Sequence, residues 1–92
     1  MHFEWDQIKS EKTKEMRGVD FEQATQLWDD KEALIIPART EGEERWAIIG
    51  TLESKVFICI FTKRGPTIRI ISLRRARDKE VSFYESAKAK TN

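Results

Sequence analysis

Ninety-two residues suit a single domain, residues 1–92, with one modest core that is only marginally stable alone. Charged residues make up 36% of the chain, yet seventeen basic and sixteen acidic side chains nearly cancel to a net charge of +1. One cysteine excludes an internal disulfide, no Cys/His cluster supports a structural metal, and no apolar run approaches membrane-spanning length. These features point to a cytoplasmic protein with no leader peptide, no cofactor and no membrane contact.

Taken in chain order, His2-Phe3-Glu4-Trp5 alternates as a short strand. Asp6 is placed to cap a helix with Ile8 and Met16 inward and Lys9, Lys12 and Lys14 outward, and Gly18 suits its left-handed end. Asp20 and Gln23 have capping-box spacing, and Phe21, Ala24, Thr25 and Trp28 form the apolar face of a second helix. Asp29-Asp30-Lys31-Glu32 reads as a solvated turn. Ala33 to Arg39 reads as a strand that Pro37 confines to an edge, and Thr40 to Glu43 as a turn. Glu44 to Leu52 is a long strand with Trp46, Ile48 and Leu52 on one face and Ala47 and Ile49 on the other.

Glu53-Ser54-Lys55 marks a hairpin turn. Val56 to Lys63 is apolar on both faces, the pattern of a central strand, and its Cys59 reads as a small buried hydrophobe. Arg64-Gly65-Pro66 turns into a basic strand, Thr67 to Leu73, and a final helix runs from about Arg77 to Lys90 with Asp78 as its expected cap. The order β-α-α-β-β-β-β-α predicts an α+β fold, with a mainly antiparallel sheet packed on two N-terminal helices. The second face of that sheet then needs the last helix or a partner to cover it.

Charge is unevenly placed. Between Asp20 and Glu44 there are eight acids against two cations, whereas Lys63 to Lys79 holds seven cations and one acid. Guanidiniums fixed to a strand suit bidentate contact with phosphate. For any one arginine a solvated strand edge is the plainer explanation; for the whole set it is not. Trp5, Trp28 and Trp46 lie on apolar periodic faces and read as core rather than base-stacking platforms.

Several segments resemble the BrnT family of type II toxins, RelE-like ribonucleases paired with an antitoxin called BrnA. They are Phe3-Glu4-Trp5-Asp6 with Lys9, Gly18-Val19 with Phe21 and Ala24, and Glu44-Arg45 with Gly50. Arg64 and Ile68 to Ala76, the most specific of these stretches, match as well, and Glu80 and Tyr84 fit the helix that follows. The resemblance implies a RelE-like fold and a ribonuclease that cleaves RNA, messenger RNA above all, to inhibit translation. It implies neutralisation by a BrnA-type ribbon-helix-helix antitoxin, with promoter DNA contacted only through that antitoxin. Where relatives carry Asn, Lys and His, this chain has Thr13, Met16 and Arg17, which removes one proton-transfer candidate.

Metal-independent RNA cleavage needs a base for the 2′-hydroxyl, cations for the phosphorane and an acid for the 5′-oxygen. Arg64, Arg74 and Arg45 are the candidates for charge neutralisation, in that order, with Lys9, Lys63, Arg69, Arg75 and Arg77 as further RNA contacts. Glu44, Glu80, Tyr84 and His2 are the available acid–base groups. The alternative function is a non-catalytic nucleic-acid-binding or inactivated toxin-like subunit.

Overall fold

Alternating residues at the start of the chain form strand β1, His2–Trp5. The computed structural model describes residues 1–39 and 41–90. Helix α1, Gln7–Arg17, begins where the Asp6 carboxylate accepts the amides of Ile8 and Lys9, and ends at Gly18, whose φ of 81° is cheap only for glycine. Ile8 and Met16 do not face inward: they are 66% and 75% exposed. Ser10 is the buried residue of α1, because its Oγ accepts the otherwise orphaned amide of Phe21 at 3.0 Å.

Asp20 and Gln23 form the expected capping box, but the regular helix α2 spans only Phe21–Ala24 and continues as a 3-10 segment, Thr25–Asp29. The tightening changes which residues are inside. Phe21, Ala24 and Leu27 are buried, a spacing of three that matches three residues per turn, so Leu27 takes the place expected of Thr25.

Four strands follow: β2 Leu34–Ala38, β3 Arg45–Leu52, β4 Lys55–Arg64 and β5 Thr67–Arg75. The expected turn before β3 is described from Glu41 on; Thr40 lies outside the described residues. The β3–β4 hairpin closes through Glu53 and Ser54 with φ of 53° and 66°, the twist-matched two-residue turn made without glycine. Helix α3, Asp78–Lys90, completes the chain. Asp78 is not its cap; the Glu80 carboxylate reaches back to the Arg77 amide at 2.8 Å instead.

The result is an α+β fold with a five-stranded sheet in the order β1-β5-β4-β3-β2. Strand β4 is central and β2 is an edge, as Pro37 required. Only β1 is parallel to its neighbour, β5. Helices α1 and α2 and the 3-10 segment pack on one face against Ile48, Leu52, Phe57, Cys59, Phe61, Ile70 and Leu73. The opposite face carries Ala47, Ile49, Ile58 and Ile60, which Tyr84 of α3 partly covers. Among the described residues no helix is long and apolar enough to cross a membrane.

Candidate nucleic-acid interface

The basic strand is interrupted. Between Ile60 and Phe61 the pairing of β4 with β5 slips by one residue: Ile60 lies opposite Ser72 and Phe61 opposite Ile70, leaving Ile71 as a bulge. Arg69 and Arg74 are five residues apart, so a regular strand would send them to opposite faces. The bulge puts both on the α3 face, Arg69 opposite Thr62 and Arg74 opposite Ile58. The amine of Lys9 on α1 donates to the bulged carbonyl of Ile71 at 2.6 Å. Lys9 was expected at the RNA surface; in the fold it ties a helix to a strand irregularity.

At one end of this face the strand register brings distant residues into rows. His2 pairs with Thr67, and Thr67 with Arg64. In the next row Glu4 pairs with Arg69, and Arg69 with Thr62. The register of β3 with β4 carried one residue past Trp46–Phe61 sets Arg45 beside Thr62. Thr62 is buried and donates to the Glu44 carbonyl at 2.8 Å, which fixes the start of β3 there. Arg69 is held by Glu4 at 3.0 Å. The Arg64 side chain is 51% exposed and, among the described residues, pairs with Glu43 at a long 3.4 Å. His2, Glu44 and Arg45 are exposed around them. With strands about 4.8 Å apart, His2 and Arg64 lie two strand spacings, about 10 Å, from each other at the backbone.

Arg74 belongs to the other end. Its row partner Ile58 is six residues along β4 from Arg64, about 20 Å. Its guanidinium makes a two-pronged pair with Glu80, 2.8 Å on each arm, and donates to the Arg75 carbonyl at 3.1 Å. The hydrogen bonds from Arg74 draw the Glu80 carboxyl from its ordinary 4.5 down to about 2, and Arg74 is raised in turn by the same contact. Glu80 is therefore an anion locked to a cation, poorly suited to carry protons.

Tyr84 also proves to be structural. It is buried, its hydroxyl donates to Asp30 Oδ2 at 2.7 Å and lies 3.0 Å from the Thr51 hydroxyl. Burial, with the neighbouring Asp30 charge, pushes its pKa upward. Asp30, expected in a solvated turn, accepts from Tyr84 and from the amides of Thr51 and Glu32, each at 2.9 Å. Burial raises its carboxyl, but these hydrogen bonds and the Lys88 charge outweigh that and leave it below its usual range. A β-carbon at Gly50 would stand 3.0 Å from Asp30 Oδ2, so the glycine leaves room for this clasp. Nothing in the local pattern of the acidic turn distinguishes Asp30 from Asp29; only the fold does.

The remaining expected contacts are dispersed. Lys63 sits over the Trp46 ring at 4.5 Å and Arg75 over Phe57 at 5.7 Å, both toward the helix-covered side. Arg77 lies at the exposed start of α3. Cys59 is fully buried, and burial drives its thiol far above the usual range, so it is inert.

An exposed corner where Arg45, Arg64 and Arg69 meet, interspersed with Glu4, Glu43 and Glu44, is an arrangement compatible with the class of small nucleic-acid-acting proteins. The family match makes this specific. Residues 5–80 match the description "Ribonuclease toxin, BrnT, of type II toxin-antitoxin system". The chain belongs to the BrnT toxin family, whose members are ribonuclease toxins, and as such it has an antitoxin partner. No curated protein matches the chain closely enough to add to this.

Proposed function

We propose that this chain is a metal-independent endoribonuclease toxin of RelE-like type. It cleaves RNA, messenger RNA above all, and a BrnA-type ribbon-helix-helix antitoxin covering the cationic corner neutralises it in the cytoplasm. The observation that carries this reading is the pair of rows His2–Thr67–Arg64 and Glu4–Arg69–Thr62, with Arg45 alongside.

Arg64 and Arg45 grip the scissile phosphate and neutralise the charge of the phosphorane, a role suited to forked donors that stay cationic. Arg69, braced by Glu4, supports the neighbouring phosphate. His2, the residue type most used for proton transfer, takes the proton of the 2′-hydroxyl as that oxygen attacks phosphorus. The 2′,3′-cyclic phosphate forms, the bond to the 5′-oxygen breaks, and that oxygen gains a proton from His2 or water. Positioning of messenger RNA by the ribosome supplies part of the rate.

Cleavage of a short oligoribonucleotide, alone and on stalled ribosomes, tests the assignment. Arg64→Ala is expected to lower kcat/KM by about a hundredfold and His2→Gln by roughly the same, within the 10²–10⁴ span of proton-transfer catalysis. Unchanged cleavage in Arg64→Ala would move the site elsewhere. Growth arrest that persists in Arg64→Ala while purified chain leaves RNA intact would favour a binding subunit.

A further inference from the structure

Arg74 has the donor geometry of a phosphate ligand, yet another group of the same chain already holds it. Three donations leave its fork: two in parallel to the Glu80 carboxylate and one to the Arg75 carbonyl. A phosphodiester would present two oxygens to the same pair of N–H groups. The contrast with Arg64 is direct, since only 28% of the Arg74 side chain is exposed against 51% for Arg64. Glu80 is itself fixed, because its Oε1 also accepts the Arg77 amide and caps α3.

We propose that Glu80 is a built-in competitor for RNA phosphate at Arg74, closing the strand β5 end of the cationic face so that RNA is confined to the corner around Arg64. The proposal rests on the ribonuclease reading above and adds to it a limit on where the backbone of the RNA can run. Glu80 is thereby an inhibitory positioning group and not a base, and Arg74 is withheld from the substrate while α3 stays in place.

The experiment uses full-length chain and an oligoribonucleotide methylated at its 2′-oxygens, which cannot be cleaved, so that binding is read apart from turnover. Affinity is measured over a salt series for wild type, Glu80→Gln, Arg74→Met, the double variant and Arg64→Met. Glutamine preserves the acceptor for the Arg77 amide while removing the charge. Glu80→Gln is expected to bind about tenfold more tightly, the gain of one charge-assisted contact. Its log–log salt slope should steepen by about 0.7, the signature of one more single-strand phosphate neutralised. Both gains should vanish in the double variant, and Arg74→Met alone should bind like wild type.

An unchanged affinity in Glu80→Gln would make the pair a strut, and a weakened one would make Glu80 an orienting partner of a bound arginine. A gain that survives in the double variant, whose net charge equals that of wild type, would place its source elsewhere than at Arg74, and weaker binding by Arg74→Met alone would trace the effect to net charge. Each of these overturns the competitor while the Arg64→Met loss still supports the ribonuclease reading; absence of RNA binding throughout overturns both. A second measurement needs no variant. In wild type titrated with the same RNA, the arginine side-chain NMR signals of Arg64 and Arg69 should move and that of Arg74 should stay; movement of Arg74 would overturn the proposal.

Discussion

The two ends of the α3-facing side of the sheet carry the same kind of residue and put it to opposite use. At the corner of β1, β5, β4 and β3, Arg64 and Arg45 stand open, with Arg69 braced by a single glutamate. About 20 Å along the strands, Arg74 is clamped by Glu80, and Tyr84 is clamped by Asp30 beside it. The first end leaves its arginine side chains more exposed, each pair there being single-armed. The second spends its polar groups fastening a helix that has Tyr84 as its one buried residue. A cluster of arginines in a sequence thus reports potential for phosphate binding; the carboxylates that the fold delivers decide which arginines keep it.

The difference predicts a hierarchy of stability effects. Tyr84→Ala should destabilise most, by about 3–5 kcal/mol, because it empties the contact of α3 with Ala47, Ile49 and Ile58 and strips Asp30 of a donor. Denaturant unfolding would measure it, and a cost below about 1 kcal/mol would show that α3 is only loosely attached.

Acid should weaken the same end next. Glu80 titrates at about 2 in the fold against 4.5 ordinarily, so its pairing contributes fully above pH 4.5 and is lost as pH falls toward 2. The shift bounds this contribution at about 3 kcal/mol. Unfolding free energy measured from pH 7 to pH 2 should fall through that window, and less so in Glu80→Gln.

Lys9→Met should cost about 1 kcal/mol by releasing the carbonyl of the Ile71 bulge. Faster hydrogen exchange of the amides from Ile71 to Leu73 would locate the effect, and a similar change at Arg64 would contradict the division between the two ends. The smallest effect belongs to the open corner: Arg64→Ala should alter stability by less than about 0.5 kcal/mol, since its ion pair with Glu43 is long and exposed. The substitution that matters most for RNA is expected to matter least for folding.

Much of the architecture was legible because it depends on short-range rules. Asp6 and Asp20 cap their helices, Gly18 ends the first, and Pro37 marks an edge, each for a reason contained within a few residues. The two-faced apolar pattern of Val56 to Phe61 identified the centre of the sheet. Misreadings arose where a distant group intervened. Ile8 and Met16 lie outside, and the residue of α1 that turns inward is Ser10, whose Oγ accepts an amide of α2. Asp30 looked solvated because Tyr84 and Thr51, its partners, are 54 and 21 residues away.

The sequence by itself determined the elements, the layer of helices under the sheet, the membership in a ribonuclease toxin family and the identity of the cationic strand. Periodicity, capping and charge density are local, and each can be read within one turn or one strand. Tertiary structure alone decided which of the candidate residues share a face. The parallel pairing of β1 with β5 carries His2 into the row of Arg64, and the Ile71 bulge turns Arg69 and Arg74 onto one face. Glu80 then pairs with Arg74 at the far end. Side-chain direction along a strand inverts with a single-residue slip, so the composition of the cationic face was a question of register, which no local pattern encodes.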